Sequence, residues 1–183
     1  MKPGFVKKAG ILLFVIFGTG LAKAQVYHQL VVSDFLGTPQ RSGNMIAYTS
    51  CFVDLHTAVS RVRDEYKLTF IAEVTLNKER SWIDLSRMTS AKMLTEVLDH
   101  EQGHYNIAWL ERRELQAVLD RVQFDGNYKA EVSAIFDRIH AKYAQLTLDY
   151  DDDTHYSLNS AQQRSWDRYF QREFTKYYAS IKR

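Results

Sequence analysis

A single cysteine, Cys51, is all the thiol the 183-residue chain has. No intramolecular disulfide can form, and the folded domain must hold through its core alone. The chain also lacks an uninterrupted apolar run of about 20 residues, the length needed to span a bilayer. It has no dense cluster of Lys and Arg in its body, so composition offers no nucleic-acid partner and no polybasic membrane contact. No repeat, low-complexity tract or linker marks a second domain. What remains, with 45% hydrophobic and 25% charged residues, is the make-up of one ordinary globular domain with a sizeable core.

The first 24 residues stand apart. Lys2, Lys7 and Lys8 form a basic start, "GILLFVIFGTG" is a short apolar run, and "AKA" (Ala22 to Ala24) fits a small-x-small cleavage site. We read residues 1–24 as a secretory signal peptide cleaved before Gln25, which predicts an exported protein, periplasmic or secreted, with no stable membrane anchor after cleavage. No cysteine follows the site to take a lipid. The charge balance changes with it. The full chain has 24 Lys and Arg against 22 Asp and Glu, or +2; without Lys2, Lys7, Lys8 and Lys23 it has 20 against 22, or −2.

The remaining chain, 25–183, reads as strands followed by helices. "VYHQLVVSDF" and "MIAYTSCFV" are β-rich and flank the turn-prone "LGTPQRSGN". In "KLTFIAEVTLN", Leu68, Phe70, Ala72, Val74 and Leu76 alternate with polar residues, the period of a half-buried strand. "LHTAVSRVRDEY" suits a short helix or a strand equally. From about Thr89 the period becomes helical, with Leu94, Val97, Ala108, Leu115, Val118, Leu119 and Val122 on one stripe until "FDGN". A second helix is predicted from about Tyr128 to Leu146. A third starts near Asn159 or Ser160, where Ser160 and Gln163 match a capping box, and runs to the end. The predicted fold class is α+β: an antiparallel sheet in the N-terminal half packed on about three helices, one of them a zincin-like active-site helix.

On that first helix stands "LDHEQGHYN". His100, Glu101 and His104 follow Val97 by three, four and seven residues and so fall on its buried stripe. Ionisable groups in a core are costly unless paired or bound to a metal. Two imidazoles four residues apart project from one side of successive turns and can hold one zinc ion, and a glutamate beside the first can reach a water on that ion. His100 and His104 are therefore candidate metal ligands and Glu101 a candidate general base. The Gly and His that would extend a metzincin motif are replaced by Ile107 and Leu110, which excludes that class.

Catalytic zinc usually has three protein ligands and a water. His155 is the expected third ligand, because a neutral imidazole binds zinc readily near pH 7 whereas a phenol must first lose its proton. Tyr156 and Glu131 are the alternatives. Asp151 to Asp153 lack the spaced ligands and glycine of a calcium loop and read as a solvated turn between helices. His28, His56 and His140 read as surface or satisfied core histidines, and Cys51 as a buried, inert strand thiol. Gly103 costs about 1 kcal/mol inside a helix relative to alanine, which suits a close approach by substrate or another segment.

These motifs resemble a family of bacterial secreted proteins, predicted to be zinc-dependent proteases, built on a domain of unknown function and marked by "HEQGH". "SDFLGTP" (Ser33 to Pro39) is similar to its D-F-x-G-x-P segment, and Ser81–Trp82 to the strand before its active-site helix. "YDDDTHYSLNSAQQRSW" (Tyr150 to Trp166) is similar to its late Y-D-x-[ED]-T-x-H segment. Val32 departs from a usual tryptophan and Tyr105–Asn106 from a usual Phe-Asp. The family's late histidine falls in register on Tyr156, one position after His155. The resemblance implies a zinc peptidase. With the motif, the expectation is an exported metallohydrolase that cleaves peptide or protein substrates, with a cell-wall amide or a non-enzymatic zinc domain as the rival readings.

Overall fold

The computed structural model describes residues 25–40, 45–62, 65–124 and 127–181; the expected signal peptide lies outside the described residues. The predicted alternation gives a long hairpin, β2 (Cys51–Val62) and β3 (Glu65–Leu76), paired antiparallel from Cys51↔Leu76 to Val62↔Glu65. The described part of "LHTAVSRVRDEY" is thus strand: 55–62 continues the cysteine-bearing segment and 65–66 opens β3. A second, two-stranded sheet pairs β1 (Ala47–Tyr48) with β4 (Trp82–Ile83), also antiparallel. The fold is α+β, strands in the N-terminal half and three helices behind them.

The hairpin buries Val53, Phe70, Ala72 and Val74 in the same core as Ala108, Trp109 and Leu115 of α1 (Ala91–Leu119). Its β3 edge is closed by side chains. Gln116 accepts from Ala72 N–H (2.9 Å) and donates to Phe70 O (2.9 Å), Arg112 donates to Ala72 O (2.8 Å), and the Gln25 amide accepts from Val74 N–H (2.8 Å) and donates to Val74 O (2.6 Å). A strand edge occupied in this way cannot recruit another chain.

The first described segment is not the strand its β-rich composition suggested. It carries only a 3-10 turn, Val32–Asp34, because its backbone is satisfied by side chains: Leu30 N–H donates to Gln102 Oε1 (2.7 Å) and Val31 N–H to Asp34 (2.9 Å). Gln102 and Asn106 also bond the Tyr27 hydroxyl (2.9 and 2.5 Å), so this strap is tied to α1.

α1 starts where Ser90 caps the Met93 N–H (3.1 Å). α2 begins at Tyr128 as expected but runs to Thr154, eight residues past the predicted end, and α3 spans Ser160–Ile181. The N-cap of α3 is Asn159, accepting from Gln162 N–H, rather than Ser160. The Asp151–Asp153 run is therefore the last turn of a helix and not a loop. Among the described residues no helix is long and apolar enough to cross a membrane.

Candidate metal centre

On α1 the stripe that begins at Val97 carries His100 and Glu101, 4% and 3% exposed, and then His104. The imidazole rings stand 4.9 Å apart and perpendicular. Facing them is the end of α2. Asp151 Oδ1 lies 3.3 Å from His100 Nε2 and 3.1 Å from His104 Nε2. Of the His, Cys, Asp and Glu side chains among the described residues, these three bring ligand atoms within 4.8 Å of one another. Both contacts have the length of a hydrogen bond, yet Asp151 Oδ1, buried, has no partner in hydrogen-bonding direction. The three ligand atoms thus stand close enough together to share one ion.

His155 is not brought to the pair. It caps α2 in the left-handed conformation (φ 47°), and its side chain is exposed. The reason is the extra helical length: continuing α2 through residue 154 turns Asp151 inward and carries His155 past the site. Glu131, in the first turn of α2, precedes Asp151 by 20 residues, about 30 Å of helix. Tyr156 lines the cleft but is 57% exposed. The signal for the longer helix, though not for the donor itself, is that Tyr143, Tyr150 and Thr154 continue the α2 stripe at spacings of seven and four.

The surroundings fix the donors. Thr154, fully buried, donates its hydroxyl proton to Tyr150 O (2.6 Å) and lies 3.3 Å from His100 Nδ1. With its own proton committed, Thr154 can accept from a His100 Nδ1–H, and in that tautomer the Nε2 lone pair is free for a metal. Tyr150 stacks on His100 (4.8 Å, 12°) and meets His104 edge-on (5.3 Å). Its hydroxyl donates to His100 O (2.9 Å), with Gln163 Oε1 at 3.0 Å. Gly103 is the floor under this ring; a Cβ there would fall onto the Tyr150 phenol.

The electrostatics favour a positive charge among the donors. Burial pushes the Asp151 carboxyl up, but the two imidazoles outweigh it and hold the group well below the usual carboxylate range. Burial pulls the His104 pKa down, while Asp151 and Glu101 overcome this and raise it. Glu101 Oε2 is buried without a hydrogen-bond partner. Cys51, on the cleft wall, has its thiol pushed up to about 12, chiefly by burial and then by Glu101 and Glu111, so it is no nucleophile. Three of the other four histidines have carboxylate partners: His28 with Asp34 (2.7 Å), His56 with Glu73 (3.5 Å) and His140 with Glu111 (2.9 Å).

The donors open into a cleft of about 380 Å³ that is also lined by residues of 45–52, the segment that carries β1. Asp84 N–H donates to Ile46 O (2.8 Å), and Ala47 and Tyr48 stand opposite Ile83 and Trp82. Antiparallel alternation then turns the backbone groups of Ile46 and Tyr48 toward β4 and those of Ala47 and Thr49 away from it. Among the described residues no strand pairs with that outer edge.

The family model described as bacterial protein of unknown function (DUF922) matches residues 19–157. That is more than half of the 183 residues, and the chain belongs to this family. The match takes in the α1 motif and Asp151. No curated protein and no solved structure matches the chain.

Proposed function

We propose that this DUF922 member is an exported zinc metallopeptidase, with His100, His104 and Asp151 as metal ligands and Glu101 as general base. The observation that carries the reading is the clustering of Asp151 Oδ1 with two imidazole nitrogens, all within 4.8 Å of one another, beside the buried and unpartnered Glu101 Oε2. Such atoms are costly without a cation or a proton donor. Two histidines and a carboxylate suit zinc, with a position left open for substrate and water. When bound, zinc would supply Lewis acidity, polarising a carbonyl and bringing water's pKa toward ~7.

The chain's own residues account for the rest. Thr154 holds the His100 tautomer and Tyr150 holds both rings. Glu101, which no neighbour claims, takes a proton from the attacking water and returns it to the leaving amine. The outward-facing backbone groups of Ala47 and Thr49 offer an extended peptide a strand to pair with. This assigns strand addition to β1. A purely structural zinc site would have no use for a free buried carboxylate beside its ligands, which disfavours the non-enzymatic reading.

The test is metal content followed by turnover. Protein from Gln25 onward should retain close to one zinc per chain after dialysis, and cleave members of a peptide library read by mass spectrometry. Glu101→Gln should keep the zinc and lose activity by about 10²-fold or more. A folded protein without zinc, or equal cleavage by wild type and Glu101→Gln, would overturn the assignment.

A further inference from the structure

The cleft continues beyond the metal donors. Seven residues after His104, two turns or about 10 Å along α1, Glu111 lines it together with His140 and Tyr143 of α2. Glu111 is 7% exposed. One carboxylate oxygen lies 2.9 Å from His140 Nδ1, and the His140 ring is stacked on Phe136 (5.7 Å, 15°), which fixes the carboxylate's direction. Burial pushes the Glu111 carboxyl pKa up, only partly opposed by His140, so the group is short of positive charge. Three carboxylates line the cleft, Glu101, Glu111 and Asp151, and neither lysine nor arginine is among the described lining residues. A zinc ion would compensate the first and third. Glu111 lies beyond it.

An independent feature of the cleft lining also points to a ligand. Thr49 is 7% exposed, and its hydroxyl oxygen is buried without a hydrogen-bond partner. A second metal does not explain these groups. Glu111 and His140 already bond each other, and among the described residues no third His, Cys, Asp or Glu comes near enough to join them.

We propose that Glu111, oriented by His140, is a specificity-determining subsite that takes the cationic head of a basic peptide side chain. The inference rests on the peptidase reading. An extended peptide advances about 3.3 Å per residue, so a span of about 10 Å places the basic residue within roughly three positions of the scissile bond. A lysine ammonium or arginine guanidinium there meets a buried carboxylate, a charge-assisted hydrogen bond stronger than a neutral one. A neutral side chain leaves the buried Glu111 with the partial compensation of His140 and nothing from the peptide.

The experiment uses zinc-loaded protein carrying Glu101→Gln, which holds peptide without turning it over. A neutral ten-residue peptide is scanned with one lysine at each position, and each version is compared with norleucine in its place. In one register lysine should bind about ten- to a hundredfold more tightly, and adding Glu111→Gln should remove most of that advantage. The amide still accepts from His140, so the fold should survive. Should circular dichroism show otherwise, Glu111→Asp, with the same charge and shorter reach, should show a reduced advantage. No binding, equal binding of lysine and norleucine peptides, or an advantage that survives Glu111→Gln would overturn the subsite. Incubation of the same peptides with wild-type protein separates the two readings. A Glu111-dependent lysine advantage without cleavage would sink the peptidase and keep the subsite; cleavage indifferent to lysine would do the reverse.

Discussion

Two residues four positions apart, Asp151 and His155, compete for one role, and chemistry and geometry rank them differently. Imidazole is the commoner zinc donor, which favours His155 in the sequence. Position decides against it: a donor must share a point with His100 and His104, and Asp151 Oδ1 is 3.3 and 3.1 Å from their Nε2 atoms while the His155 side chain is exposed. We predict that Asp151→Ala weakens zinc binding by more than the ten- to hundredfold typical of losing a supporting residue. His155→Ala should leave it at the wild-type value. Competition with a chromophoric chelator measures both, and the opposite ranking would restore His155. The two histidines and Glu101 were legible in the sequence because all three lie within about one helical turn, where spacing alone sets geometry. Asp151 was not, because its place depends on how far α2 runs. Three consecutive aspartates disfavour a helix by propensity. Tertiary packing overrides this, since Tyr150 and Thr154, both fully buried, anchor the last turn.

At the scale of elements, the site is a contact between the middle of α1 and the end of α2, and Gly103 sets how closely they approach. Helix propensity alone says Gly103→Ala should stabilise the protein by up to about 1 kcal/mol. The structure says otherwise, because the new methyl would meet the Tyr150 ring. That ring is held among His100, His104, Trp166 and Phe170 and has nowhere to go. Overpacking a core costs about 1–3 kcal/mol. We therefore expect Gly103→Ala to destabilise by about 1–2 kcal/mol net, seen as a lower Tm, and to weaken zinc binding as Tyr150 carries Asp151 and Thr154 away from α1. A stabilised variant with intact metal affinity would show that the helices close without this contact. Elements with strong periodicity, β3 and the start of each helix, were readable from the sequence. The strap before Pro39 was not. Its valines and leucines have β-rich composition, but Val26, Val31, Val32 and Leu36 are exposed, and Leu30, the rings of Tyr27 and Phe35 and a set of hydrogen bonds hold it instead.

For the whole molecule, that strap does part of the work a disulfide does elsewhere. It joins the β3 edge through Gln25, α1 through Leu30 and Tyr27, and the turn before β4 through Asp34 and Gly37. Asp34, 1% exposed, accepts from Lys78 Nζ (2.8 Å), His28 Nε2 (2.7 Å) and Val31 N–H (2.9 Å). Gly37 N–H donates to Ser81 O (2.7 Å), so close that a Cβ would sit 2.8 Å from that same oxygen. Burial raises the Asp34 pKa, but Lys78, Val31 and His28 together outweigh it and bring it below the ordinary 3.8. A carboxyl whose folded pKa lies below its unfolded value binds its proton less readily when folded. Its contribution is therefore full above about pH 4 and is lost as the pH falls through the folded value. Loss of these charged hydrogen bonds costs about 1.5–3 kcal/mol. Asp34→Asn should accordingly lower Tm at pH 7, and the gap between variant and wild type should close as the pH is taken from 5 toward 2. Because the site residues are the same in both proteins, the difference isolates the strap from the titration of the metal centre. A gap that stayed constant down to pH 2 would mean that Asp34 fastens the strap by its shape and not by its charge.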